Sequence, residues 1–193
     1  VMRIDRIRNV ALGVAATLAL CGAVSSAQAS VIATGTWYEF SWTGVAPATG
    51  CSPADPAGLG CTPSSGTPTL FAPASPWEFT TTSGSTWLTV TDAFDRIDQF
   101  EVFDSGVLLG ATSIPSDAGN CGNDPVPCLA DLEVSSGTFA LGAGSHSITI
   151  AQILDQGSGA GYFRVDVPEP GSLALLGLGL AGLGFMRRKK VAA

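Results

Sequence analysis

The sequence predicts an all-β protein: an antiparallel β-sandwich, jelly-roll-like, flanked by an N-terminal signal helix and a C-terminal hydrophobic helix. Three observations lead there. Between residues 30 and 167 no segment keeps a helical period for long. Short runs rich in β-branched and aromatic residues recur instead. Gly, Ser, Asp and Pro break these runs at the spacing of hairpins.

The first element is a leader over residues 1–29. Arg3, Arg6 and Arg8 form a positive start, residues 10–24 an apolar stretch, and Ala27-Gln28-Ala29 a small-x-small cleavage site for signal peptidase. The apolar stretch is about 15 residues, short of the roughly 20 that cross a bilayer. Leu20, before Cys21, stands where a lipoprotein signal would carry a small residue.

The strands follow in residues 30–167. VIATGTWYEFSW (31–42) puts Tyr38, Phe40 and Trp42 on one face and Trp37, Glu39 and Ser41 on the other. WEFTTT (77–82) and TWLTVT (86–91) flank Ser83-Gly84-Ser85, a hairpin signal. DQFEVF (98–103) and VLLGATS (107–113) flank Asp104-Ser105-Gly106, a second. GTFAL (137–141) and HSITIAQIL (146–154) flank Gly142-Ala143-Gly144-Ser145, a third. GYFRVDV (161–167) closes the domain with Phe163, Val165 and Val167 on one face.

Charge separates along the chain. Residues 30–167 hold fourteen Asp and Glu against only Arg96 and Arg164, a net charge near −12 with no lysine. Such a surface repels phosphate backbones and anionic lipid, which excludes nucleic acid as a partner. Four cysteines remain after the leader: Cys51, Cys61, Cys121 and Cys128. An even number in an exported chain reads as disulfides, with three pairings open. The local pairs, Cys51–Cys61 and Cys121–Cys128, are favoured because each brackets a loop rich in turn residues. The spacings do not match the short knuckles of a four-thiolate zinc site.

The last segment, residues 168–193, is VPEPGSLALLGLGLAGLGFMRRKKVAA without its first valine. Residues 171–186 are apolar or small and would span about 24 Å as a helix, against a hydrocarbon core of roughly 30 Å. Arg187, Arg188, Lys189 and Lys190 would stay on the cytoplasmic side as a stop. Pro168 and Pro170 keep the stretch before the helix extended, the form in which a processing enzyme binds a chain.

Pro168-Glu169-Pro170, the glycine-rich apolar helix and the basic end, in that order, resemble the PEP-CTERM sorting signal, a segment also labelled an ice-binding protein C-terminal domain. The resemblance implies recognition by an exosortase in a Gram-negative, exopolysaccharide-making bacterium. It further implies transient membrane insertion through the C-terminal helix, removal of the tail, and delivery to the cell surface or extracellular matrix. Residues 90–113 and 135–150 also resemble a secreted sandwich module, although Ile97 stands where that pattern has glycine. This second resemblance implies fold and location, and no catalytic residue.

Candidate chemistry is sparse. The single histidine, His146, opens a strand whose Ile148 and Ile150 share its face, which suits a hydrogen-bonded strand residue better than a general base. There is no G-x-S-x-G elbow and no spare cysteine nucleophile. Asp92, Asp95, Asp98, Glu101 and Asp104 are numerous enough to supply a glycosidase-type carboxylate pair. They also suit turns and strand ends.

Two oxygen-rich clusters, Asp92/Asp95/Asp98 and Asp117/Asn120/Asn123/Asp124, suit a structural calcium, and no other cofactor is expected. Thr80/Thr82 and Thr89/Thr91 have the strand spacing of an ice-binding face, without extended arrays. Trp37, Trp42, Trp77, Trp87, Tyr38 and Tyr162 offer rings for stacking on polysaccharide, and equally for a core. The expectation is therefore a non-enzymatic surface or matrix component. A carboxylate-pair hydrolase and an ice-binding protein stand as alternatives.

Overall fold

The computed structural model describes residues 30–167 apart from 45, 83, 117, 155 and 156. The expected leader, with Ala27 and Ala29, and the segment from Pro168 onward with its apolar helix lie outside the described residues. Among the described residues no helix is long and apolar enough to cross a membrane.

The strands in chain order are β1 (Ser30–Val31), β2 (Trp37–Thr43), β3 (Cys51–Ser52), β4 (Leu59–Gly60), β5 (Thr69–Phe71), β6 (Trp77–Thr81), β7 (Thr86–Asp92), β8 (Phe100–Asp104), β9 (Val107–Ala111), β10 (Ser136–Leu141), β11 (Gly144–Gln152) and β12 (Ser158–Asp166). One described helix, α1 (Pro125–Ala130), interrupts them. Two five-stranded sheets result, in the orders β1-β6-β11-β8-β9 and β10-β7-β12-β2-β5. The chain is all-β and forms a sandwich, but its sheets are mixed. The edge strands β1 and β5 pair parallel to β6 and β2, while the pairs between them are antiparallel.

Of the three expected hairpins, one forms. β8 and β9 pair antiparallel with Asp104 opposite Val107. The two residues between, Ser105 (φ 51) and Gly106 (φ 79), both take positive φ, as the tight turn that suits strand twist requires. The other two are crossings between sheets. β6 lies in the first sheet and β7 in the second, and β10 and β11 are divided likewise. Alternation specifies which side chains face inward, not whether the next strand lies beside its predecessor or across from it. Trp77 and Phe79 on β6 belong to the same buried core as Leu88 and Val90 on β7, so both strands bury their apolar faces in the space between the sheets.

That space is filled chiefly by rings. Phe40 and Trp42 on β2 meet Phe100 on β8 edge-on, at 5.5 and 4.9 Å between centroids. Trp77 packs on Phe163 at 4.6 Å, and Tyr38 stacks on Phe163 at 5.5 Å. Neighbouring β12 makes room with glycine. Gly161 pairs with Phe40 and Gly159 with Trp42, and a Cβ at Gly161 would lie 2.8 Å from the Phe40 ring and 3.0 Å from the Thr91 carbonyl. Overpacking of this kind destabilises by about 1–3 kcal/mol. Gly161→Ala is therefore expected to lower unfolding free energy by about that amount in urea titration. Gly142→Ala, where nothing lies within 4 Å, should stay within about 0.5 kcal/mol of the parent. Equal effects from the two would remove the packing argument.

Candidate functional site

Much of the second sheet is buried on its other face as well. The outward residues of β2, Trp37, Glu39 and Ser41, are buried, as are Thr89 and Thr91 on β7 and Tyr162 on β12. The cover comes from the loop of residues 46–68 and, on either side of β8 and β9, from residues 93–97 and 118–134. Ser41 ties down the first: its hydroxyl donates to the Gly50 carbonyl at 2.6 Å and accepts from the Leu59 amide at 3.1 Å. Tyr162 ties down the second by donating to the Asn123 carbonyl at 3.0 Å. Trp37, Ala93 and Tyr162, with Phe94 and Leu129 against them, form a second small apolar cluster beneath this cover.

Each cover carries one disulfide. Cys51 is bonded to Cys61 and Cys121 to Cys128, with Cα separations of 5.6 and 5.1 Å. The two covers also hold each other, since Asn123 Nδ2 donates to the Pro63 carbonyl and the Thr67 amide to Asp124. Arg96 binds Asp131 at 2.7 Å and Glu133 at 2.8 Å, fixing the start of the second cover to its end.

Between the covers lies a pocket of about 270 Å³, lined by residues 59–62, 93–95, 97–98 and 158–160. Phe94 on its wall has φ 60, unusual for a bulky side chain. It is held there by the Gly122 carbonyl and the Cys121 amide.

The expected acidic cluster sits at this end of the sandwich, with at least one oxygen of each aspartate engaged. Asp92 accepts from the Ala93 amide at 2.8 Å and the Asp98 amide at 3.2 Å. Asp98 accepts from Gln152 Nε2, and Asp95 from Asn120 Nδ2. In the other cluster, Asp124 caps α1 through the Val126 amide. Asn120 accepts from the Gly122 amide, and Asp117 is outside the described residues.

Among the described residues, one group of three potential metal ligands comes together: Glu39, Cys51 and Cys61, with ligand atoms within 4.8 Å of one another. The two sulfurs are joined to each other and offer no thiolate, so this is not a metal centre as it stands.

His146 lies elsewhere, buried on β11. Its Nδ1 is 2.7 Å from Asp104 Oδ2, its Nε2 faces Thr81 Oγ1 at 3.2 Å and the Gly142 carbonyl at 3.1 Å, and the ring stacks on Phe79. It clamps β11 to β8 and β6. Glu101 is half-buried on β8. Of the six aromatic residues named as platforms, Trp87 alone is exposed, at 45%, and the other five are core or covered. Thr89 and Thr91 are buried, whereas Thr80 and Thr82 are exposed on the other side of the sandwich. The two pairs present no common face.

Burial reverses the usual behaviour of three carboxyls. Asp92 is raised to about 8 by burial, reinforced by the Asp98 and Asp95 charges and opposed by the Ala93 and Asp98 amides. Asp98 is raised to about 6 by burial, against its bond from Gln152. Glu39 is raised to about 7 by burial. The Thr62 amide opposes this from outside hydrogen-bonding geometry, for neither Glu39 oxygen has a partner. Sequence reasoning left Glu39 unremarked on a nominally outward face. The signal was Trp37 beside it, an aromatic ring on a side meant for water.

Three other carboxyls are held below their usual range. At Asp104 burial is outweighed by His146, the Ser147 amide and Ser105. At Asp124 it is outweighed by Thr67 and the Val126 amide. At Asp131 the Glu133 amide and Arg96 dominate.

A carboxyl raised in the fold binds its proton more tightly folded than unfolded. Its stabilisation is complete below the unfolded value, 3.8 for Asp and 4.5 for Glu, and is lost as pH rises to the folded value. The lowered groups lose theirs as pH falls through values below 3.8. The melting temperature is therefore expected to peak near about pH 4–5 and to fall toward pH 8, with Glu39→Gln narrowing the fall. A flat profile over that window would contradict the burial argument.

No curated protein and no solved structure matches the chain. Residues 166–190 do match a family model, beginning at the last residue of β12. The β-sandwich thus carries a PEP-CTERM protein-sorting motif at its C-terminal end.

Proposed function

We propose that this protein is a non-catalytic component of the cell surface or extracellular matrix, associated with extracellular polysaccharide. The observation that carries this reading is the sorting motif at residues 166–190. The motif implies an exported chain, transiently membrane-associated and processed by an exosortase. Signal peptidase removes the leader at Ala27–Ala29 in this reading, and the Gram-negative, exopolysaccharide-making setting comes with the motif's usual company.

Two features support the non-catalytic part. The oxygens of Asp92 and Asp98 that the fold engages are taken by backbone amides and by Gln152, so the best-placed carboxylates act as pins. His146 is enclosed by Asp104, Thr81 and Gly142. For polysaccharide contact the supporting feature is Trp87, half-exposed on β7 opposite Asp166 and Ala140. Beside it Arg164 pairs with Asp166 at 2.9 Å and lies over Trp37 at 4.7 Å. An exposed ring flanked by a charged pair offers a sugar both a stacking face and hydrogen-bond partners.

The test is a mass analysis of the protein from its own cells, fraction by fraction. The expected species begins at Ser30, ends near Pro170 and occurs in the surface or matrix fraction. Replacing Glu169 and Pro170 by Ala should leave the chain in the inner membrane with its tail. Retention of the tail in the parent protein would make it an anchor and sink the sorting reading. Separately, Trp87→Ala should weaken polysaccharide pull-down roughly tenfold, near the upper end of one ring's contribution. Unchanged capture, or release of reducing sugar by the parent protein, would overturn the binding face or the non-catalytic role respectively.

A further inference from the structure

Beyond sorting and polysaccharide contact, the disulfide of the first cover has surroundings that the second one lacks. Cys51 is fully buried, whereas Cys61 is partly exposed and lines the pocket between the covers. Glu39 projects from β2 so that a carboxylate oxygen lies within 4.8 Å of both sulfurs. That carboxyl is fully buried, and neither oxygen has a hydrogen-bond partner. A carboxyl left unpartnered in a dry interior is ordinarily selected against, because an ionised one is strongly disfavoured there. Among the described residues no carboxylate stands in the same relation to both Cys121 and Cys128.

We propose that Cys51–Cys61 is an exchange-active disulfide, opened by a small thiol that enters the pocket and attacks Cys61, with Glu39 as the proton donor to Cys51. The incoming thiolate forms a bond to Cys61 Sγ as the Cys51–Cys61 bond breaks, and Cys51 Sγ leaves with the electron pair. A bare thiolate at that buried position would be unstable. Glu39 in its acid form passes its proton to Cys51, leaving a neutral thiol and a carboxylate. With a dithiol reductant, the second thiol loses its proton to solvent and attacks the mixed disulfide at the reductant's own sulfur. Cys61 departs as a thiolate and takes a proton from water, and Glu39 is reprotonated from solvent. The protein disulfide gains two electrons and two protons, and the dithiol becomes a cyclic disulfide.

The proton donor is available at neutral pH. Burial raises Glu39 to about 7, opposed only by the Thr62 amide, and no neighbouring charge contributes noticeably. Asp95 and Asp98 line the pocket that the thiol enters, and three other titratable groups belong to the strand and covers packed around Glu39. The Tyr162 hydroxyl on β12 is raised by burial and by the charges of Glu39 and Asp124, and is held by Asn123. Asp55 of the first cover is occupied by the Gly50 and Ala57 amides. Asp124 is bound by the Thr67 and Val126 amides. None of these three is among the ligand atoms grouped around the two sulfurs.

The experiment follows reduction of each disulfide in the whole domain by dithiothreitol, with alkylation and mass mapping. Rates are divided by the thiolate concentration at each pH. For Cys51–Cys61 the normalised rate should fall about tenfold between pH 6 and pH 8 as a group near 7 loses its proton. For Cys121–Cys128 it should be flat. Glu39→Gln, which keeps shape without a transferable proton, should give a flat profile about 100-fold below the parent at pH 6, the lower end of what a positioned acid supplies.

A purely structural Glu39 would leave the variant's profile identical to the parent's, and that result overturns the proposal. So does a pH-independent rate for Cys51–Cys61 in the parent, which needs no variant to fold. Matching profiles for the two disulfides would overturn it too.

Discussion

Strand β12 lies between β7 and β2 in the second sheet, and around β2 and β12 that sheet is buried on both faces. On the inner side its glycines admit the Phe40 and Trp42 rings from the neighbouring strand, and the aromatic core grows outward from that contact. On the outer side Trp37 and Tyr162 cannot be left in water without forfeiting the burial of two large rings, each worth on the order of 2–3 kcal/mol. The domain answers with two long covers, whose only sheet pairing among the described residues is the short parallel pair β3–β4 in the first. Loops have few apolar residues to hold them in place, so each is closed by a disulfide and pinned by hydrogen bonds to β2 or β12.

The buried carboxyls follow from the same constraint. Roofing a face that carries Glu39, and folding residues 92–98 against the end of the sandwich, takes acidic groups out of water in a domain with only two arginines to receive them. Arg96 is committed to Asp131 and Glu133, and Arg164 to Asp166. Asp92 is therefore solvated by backbone amides and Asp98 by Gln152, while Glu39 has nothing. This graded series, from well satisfied to bare, separates carboxyls that act as struts from the one whose chemistry is open.

Much of the sandwich could be read from alternation alone. Tyr38, Phe40 and Trp42 do share the inner face, as do Phe163 and Val165, and Asp104-Ser105-Gly106 does turn a hairpin. Alternation is a local property, and it failed where the answer was not local. Residues 82–85 and 142–143 join strands that face each other across the core, a relation with the same period and the same turn residues as a hairpin. The loops and their local disulfides were legible from cysteine spacing and turn residues, but not that they roof a sheet face, because a loop has no period to read. Composition shows where oxygens gather, as at Asp92, Asp95 and Asp98, but not which amides and side chains already bond to them. The sorting motif was readable in full because it is a linear signal, recognised as order along the chain rather than as a fold.

One further property follows from the position of β12. The sorting motif begins at Asp166, the final residue of this strand, so any tension on the tail enters the domain along the axis of β12. A strand held at seven residue pairs on one side and six on the other resists such a pull in shear, with its hydrogen bonds loaded together rather than unzipped in turn. The opposite end of the domain starts at β1, two residues on a sheet edge, where bonds would yield singly. The domain is thus mechanically polarised, toughest at the end that carries the sorting motif.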